Sequence, residues 1–136
     1  QKAKEIALLN AGIPKNVPVV FTKKVLSRNQ GQPCWILEFY AEKHSYLYKI
    51  DAKTGEILFS RRYINISLAK EIALQDCSLT TSDKVVFVTE ELIEVDVKVP
   101  YYYLVFTVDS VRYTYHVSAT DGKILYKAKD FVRVAG

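Results

Sequence analysis

Cys34, Cys77, His44 and His116 carry the most reactive side chains of this chain, and their spacing limits what they could do. Cys34 and His44 stand ten positions apart, in a region whose apolar residues alternate, which places them on neighbouring strands. A thiol beside an imidazole is the minimum for nucleophilic catalysis. No orienting group and no oxyanion donor can be named to complete it. A lone histidine on a strand face is the competing reading for both His44 and His116. The sequence holds no HExxH, no CxxC, no phosphate-binding glycine loop and no serine elbow. Glu90, Glu91 and Glu94 fall in a charged stretch suited to capping or solvating a strand end. The expectation is therefore a protein that is not an enzyme, with no catalytic residue, no metal site and no cofactor.

The other place where spacing matters is YKIDAKTGEIL, residues 48–58, because YHVSATDGKIL recurs at 115–125. A calcium loop is a poor reading of DAKTGE, which has too few carboxylates and lacks the EF-hand spacing. Asp51 becomes Ser118 in the second copy. The recurrence is instead part of an internal repeat. Gly55 and Gly122 lie 67 positions apart, and the same shift pairs Trp35 with Tyr102, Phe39 with Phe106, and Tyr48 with Tyr115. Upstream the shift is 66: AKEIAL stands at 3–8 and again, letter for letter, at 69–74. One extra residue therefore enters the second copy between Leu92 and Pro100. The predicted domains are 1–66 and 67–136.

A unit of about 60 residues buries only about 60% of its unfolded surface, so two copies packed on each other are expected. The 136 residues are 49% hydrophobic, enough for a core. Net charge is +4 at pH 7, with scattered lysines and arginines, which points to solvated faces more than to a nucleic-acid groove. No apolar run reaches the roughly 18–20 residues of a membrane span. Gln1 aligns with Ser67, so a natural N-terminus with any signal or anchor is expected upstream. Cys77 aligns with Ala11 and reads as a small buried residue. A Cys34–Cys77 disulfide between the copies is the other reading of the two cysteines.

The elements that position these residues follow from periodicity. Ala69, Ile72, Ala73 and Cys77 form one helical stripe, matched by Ala3, Ile6, Ala7 and Ala11. Ser67 is the candidate N-cap of the second helix, and Gly12 with Pro14 ends the first. After each helix the chain reads as strands. Trp35, Leu37 and Phe39 alternate with Ile36 and Tyr40; Tyr102, Leu104 and Phe106 alternate with Tyr103 and Val105. In the turns DAKTG and SATDG, Gly takes a positive φ, and Asp51 or Ser118 bonds to the backbone. Ile57 and Phe59, or Ile124 and Tyr126, are expected to return to the core side. The predicted class is α+β: two tandem repeats, each one helix packed on a three- to four-stranded antiparallel meander.

The second sheet face carries Ile36 and Tyr40 in one copy and Tyr101, Tyr103 and Val105 in the other. Tyrosine joins an apolar body to a polar tip and suits interfaces. Packing between the copies would explain these residues; a recognition surface is the sharper reading, with Tyr40, Tyr101 and Tyr103 as its candidates.

The run from AKEIAL through an aromatic strand to YLYKIDAKTGEIL resembles the PepSY domain, and two copies would span essentially the whole chain. YLYKIDAKTGEIL is similar to that family's C-terminal signature. The second copy departs from it, with Ser118 and Thr120-Asp121 where the family shows Asp-Ala-x-Thr. The resemblance implies an extracytoplasmic module, secreted or held at the cell surface, as in peptidase propeptides and a spore-germination protein. It implies a protein partner, a secreted or membrane-bound peptidase that the module binds, inhibits or regulates. A scaffold role in a membrane-anchored envelope protein is the alternative, and a nucleic-acid-binding sheet a remote one.

Overall fold

The computed structural model describes residues 2–29, 31–79 and 84–132. Gln1, the partner of Ser67 in the repeat, and Asp83, at the head of a predicted strand, lie outside the described residues. The chain falls into two compact units, residues 1–63 and 64–136. In chain order the first holds α1 (Lys2–Ala11), β1 (Val20–Asn29), β2 (Gln32–Ala41), β3 (His44–Asp51) and most of β4 (Ile57–Ile64). The second holds α2 (Ile66–Asp76), β5 (Val85–Ile93), β6 (Tyr101–Val108), β7 (Val111–Ser118) and β8 (Ile124–Phe131). The strands form two four-stranded sheets, each in simple sequential order. The class is thus α+β with antiparallel meanders, and the extra residue of the second copy lies in the β5–β6 connection.

AKEIAL works the same way in both units. Ala3 and Ala7 are buried in one cluster with Leu37, Phe39, Tyr48 and Ile50. Ala69 and Ala73 are fully buried in the other unit. Small side chains let a helix backbone come close to a sheet whose residues are large. The lysine of each motif lies over a ring of the first strand: Lys4 Nζ is 4.5 Å from the Phe21 ring centroid, and Lys70 Nζ 4.6 Å from that of Phe87. Lys70 also pairs with Glu90 at 2.6 Å. Beneath the helices the aromatics stack, Phe39 on Tyr46 and Tyr48, and Phe106 on Tyr113 and Tyr115.

The glycine turn is held against the helix. Gly55 and Gly122 have φ of 79° and 78°. A Cβ on Gly55 would sit 3.1 Å from Ile6 Cδ1, and one on Gly122 only 2.9 Å from Ile72 Cδ1. The isoleucine of AKEIAL therefore lies where a turn side chain would be. Asp51 Oδ1 accepts from the backbone N–H of Lys53 and Thr54, and Ser118 Oγ accepts from Thr120 and Asp121, as the sequence indicates. Those bonds, to Thr54 first, hold the Asp51 carboxyl below the usual range.

Two expectations need correction. The N-cap of α2 is Asn65, whose Oδ1 accepts from Leu68 N–H at 3.0 Å; Ser67 lies inside the helix. Both residues precede the apolar stripe, and only backbone conformation chooses between them. Second, Phe59 is 45% and Tyr126 51% exposed rather than turned to the core. In β8 the register shifts: Ile124 stands opposite Val117, yet Tyr126 stands opposite His116. The extra residue, Leu125, is a bulge that turns the remainder of the strand to the other face. Both cysteines are free, Cys34 buried and Cys77 half-buried, which removes the alternative reading of a disulfide.

Each helix ends in the same motif. Ile13 N–H bonds to Leu8 O and Gly12 N–H to Leu9 O; Leu79 bonds to Leu74 and Ser78 to Gln75. The left-handed position is Gly12 in one copy but Ser78, with φ 60°, in the other. A side chain there costs about 1 kcal/mol. Ser78→Gly is expected to raise stability by about 0.5–1 kcal/mol, net of the added freedom of the unfolded chain, as measured by urea denaturation.

Candidate binding face

The nucleophile pair is not assembled. Cys34 stands opposite Asp51 at one end of the β2–β3 ladder and His44 opposite Ala41 at the other. Seven residues of strand, about 23 Å, separate them. Among the described residues no three His, Cys, Asp or Glu side chains gather where they could hold a metal ion.

At the end of α2 a pocket of about 400 Å³ is lined by Asp76, Cys77, Tyr113, Tyr115, Lys127 and Lys129, among others. Three of its polar groups are engaged with each other. Tyr115 Oη donates to Asp76 Oδ2 at 2.7 Å, and Lys127 Nζ lies 3.0 Å from the same oxygen. These bonds, Tyr115's first, hold the Asp76 carboxyl below the usual range. Burial pushes the Cys77 thiol up, and its Sγ donates to Ala73 O at 3.3 Å, so it is a poor thiolate source. The matching bond in the first unit, Tyr48 Oη to Asn10 Oδ1 at 2.9 Å, shows that this contact is structural. It ties the last turn of each helix to its sheet. The alignment of Tyr48 with Tyr115 and of Asn10 with Asp76 was the available signal.

The sheet face away from the helix is different. In the second unit, cross-strand register puts Glu91 opposite Tyr103, Tyr103 opposite His116, and His116 opposite Tyr126. Directly opposed residues project on one face, so these four make a row across all four strands. Tyr101 joins it, stacked on His116 with centroids 4.4 Å apart. Tyr103 meets His116 edge-on at 5.3 Å, and Tyr126 is tilted against it at 4.9 Å. The structure thus brings together Tyr101 and Tyr103, named from sequence alternation. Glu91, His116 and Tyr126 are the members that the sequence reading missed, Tyr126 because of the Leu125 bulge. Tyr40 is 42% exposed and belongs to the first unit, opposite Val20 and Ser45.

The same row in the first unit is Val25, Ile36 and Lys49 in register. Lys49 Nζ lies 5.5 Å from the centroid of the Phe59 ring. One copy therefore covers its aromatic with its own ammonium, where the other presents a flat imidazole among tyrosines.

Residues 1–61 match the PepSY family, described as the peptidase propeptide and YPEB domain. The match covers the unit that carries YLYKIDAKTGEIL. No curated protein matches the chain. Among solved structures, a Clostridium difficile protein provisionally classed as a lipoprotein is similar over 94% of this chain and 90% of its own. That alignment has 19% identity and a TM-score of 0.40. The Bacillus megaterium YpeB C-terminal domain is similar over 93% of this chain and 95% of its own, with 14% identity and a TM-score of 0.34. Among the described residues no helix is long and apolar enough to cross a membrane.

Burial among the tyrosines lowers the pKa of His116 from its usual 6.5, and burial with the charge of Arg62 lowers that of His44. A histidine that protonates less readily when folded adds stability that is complete above pH 6.5. That stability is lost as pH falls through the folded value. An NMR titration is expected to place the His116 midpoint below 6.5. His116→Gln should remove part of the stability loss between pH 7 and 5; an unchanged loss would show that the ring packing does not affect its titration.

Proposed function

We propose that this chain is a non-catalytic, extracytoplasmic protein-binding module. It is made of two PepSY-type copies, 1–66 and 67–136, and it restrains or regulates a peptidase at the cell surface. Assigning the second copy to the family rests on the internal repeat. The observation that carries the reading is the aromatic row of the second unit. Its members are half-buried or exposed, they lie on the face opposite α2, and the interior does not need them. Large aromatics presented at low conformational cost are what protein interfaces use. The family match over 1–61, by its description as a peptidase propeptide domain, supports a peptidase as the partner. No cofactor takes part.

Titration of the chain against secreted and membrane-bound peptidases of its source is expected to give saturable binding with loss of peptidase activity. Tyr101→Ala with Tyr103→Ala should weaken it at least tenfold, a typical cost for interface aromatics of about 1.4 kcal/mol or more. Binding without loss of activity would favour the scaffold reading. No binding to any peptidase would remove the regulatory one. Tyr40→Ala, in the first unit, tests whether both copies engage the partner.

A further inference from the structure

The row Glu91–Tyr103–His116–Tyr126 has a chemistry of its own. It begins with an exposed carboxylate on β5 and continues as three rings to β8. With about 4.8 Å between strands, the row spans about 14 Å. Tyr101 backs His116, and Tyr103 stands at 86° to it, so the rings make a floor and a wall rather than a flat sheet. The charged groups in register on this face are Glu91 on β5, Arg112 on β7 and Asp130 on β8. Arg112 stands opposite Asp130, two rows away, so of these three Glu91 is nearest the rings.

Ring faces next to a carboxylate attract a cation: the π-face supplies negative potential and the carboxylate an ion pair. The chain already contains the first half of that arrangement. At the equivalent position of the first unit, Lys49 lies over Phe59, and the residue equivalent to Glu91 is Val25. There the cation is internal and no acid stands in the row Val25, Ile36 and Lys49. In the second unit the internal cation is missing and an acid has been added. The two copies differ as an occupied site differs from an open one.

We propose that the outer face of the second unit is a docking site for a cationic side chain, arginine in preference to lysine, presented by an extended segment of a partner protein. The guanidinium would lie in the angle between the His116 floor and the Tyr103 wall and reach the Glu91 carboxylate. Arginine is favoured because its plane matches ring faces while its edge donates to a carboxylate. The first unit, whose row carries Lys49, does not take such a group. This rests on the binding-module reading above and specifies what the module recognises.

The test is an NMR titration of the full chain at pH 7.5 with N-acetyl-arginine methylamide and, separately, with its neutral citrulline analogue. Arginine is expected to shift the signals of Tyr103, Tyr126 and His116, with saturation in the millimolar range. Citrulline should do so at least fivefold more weakly. Glu91→Gln, a surface substitution, should weaken the arginine effect at least threefold, and the ring signals of Phe59 should not move. Equal shifts with citrulline, shifts unaffected by Glu91→Gln, or no shifts at all would overturn the inference. So would ring shifts that grow with protein concentration alone, because the occupant would then be a second copy of this chain. The peptidase titration fails or succeeds separately. Peptidase binding without arginine-specific shifts would sink this inference and leave the module reading. Shifts without peptidase binding would leave the site and sink the peptidase.

Discussion

Each unit depends on one contact, the approach of an isoleucine on the helix to a glycine in the β3–β4 or β7–β8 turn. Ile6 meets Gly55, and Ile72 meets Gly122, at distances where a Cβ would crowd the isoleucine Cδ1. The contact joins the two most recognisable pieces of the repeat, AKEIAL and the glycine turn, which are about 50 residues apart in each copy. It explains why they recur together. Buried alanines bring the helix down on the sheet, the isoleucine reaches the turn, and the turn must have both a left-handed residue and an empty space. Glycine supplies both.

With the helix fixed on one face by that contact, the other face of the sheet is free to vary. The helix-facing residues correspond closely between copies: Leu37 with Leu104, Phe39 with Phe106, Tyr48 with Tyr115. The outer faces do not. Val25, Ile36 and Lys49 in one correspond to Glu91, Tyr103 and His116 in the other. Packing allows few solutions on the inner face, because a change of even one methylene is felt in a dense core. The outer face carries no such constraint, so it is where two copies of one fold can acquire different recognition.

Much of this could be read from the sequence. The repeat, the helical stripe and the strand alternation gave the α+β class and placed Tyr101 and Tyr103 on the outer face. The glycine turn was also legible, because a positive φ has a residue signature. The bulge at Leu125 was not. It carries no glycine or proline, and it arises from how β8 meets β7, which alternation along one strand cannot show. Tyr126 was therefore assigned to the core and its place beside His116 missed. Asn65 was missed for a similar reason, since two good capping residues stand two positions apart and only backbone conformation selects one. The pairing of Cys34 with His44 failed on register: neighbouring strands do not make neighbouring residues.

The most direct test of the central contact is a double-mutant cycle by urea denaturation. Ile72→Val removes only the Cδ1 atom that a Cβ at position 122 would strike, and Gly122→Ala adds that Cβ. Alone, Gly122→Ala should cost at least about 1–2 kcal/mol, the left-handed penalty plus the clash. In the Ile72→Val background it should cost less by about 0.5 kcal/mol or more, a coupling characteristic of touching residues. Strictly additive costs would contradict the account, because the glycine would then serve the turn alone and the helix would be held by something else.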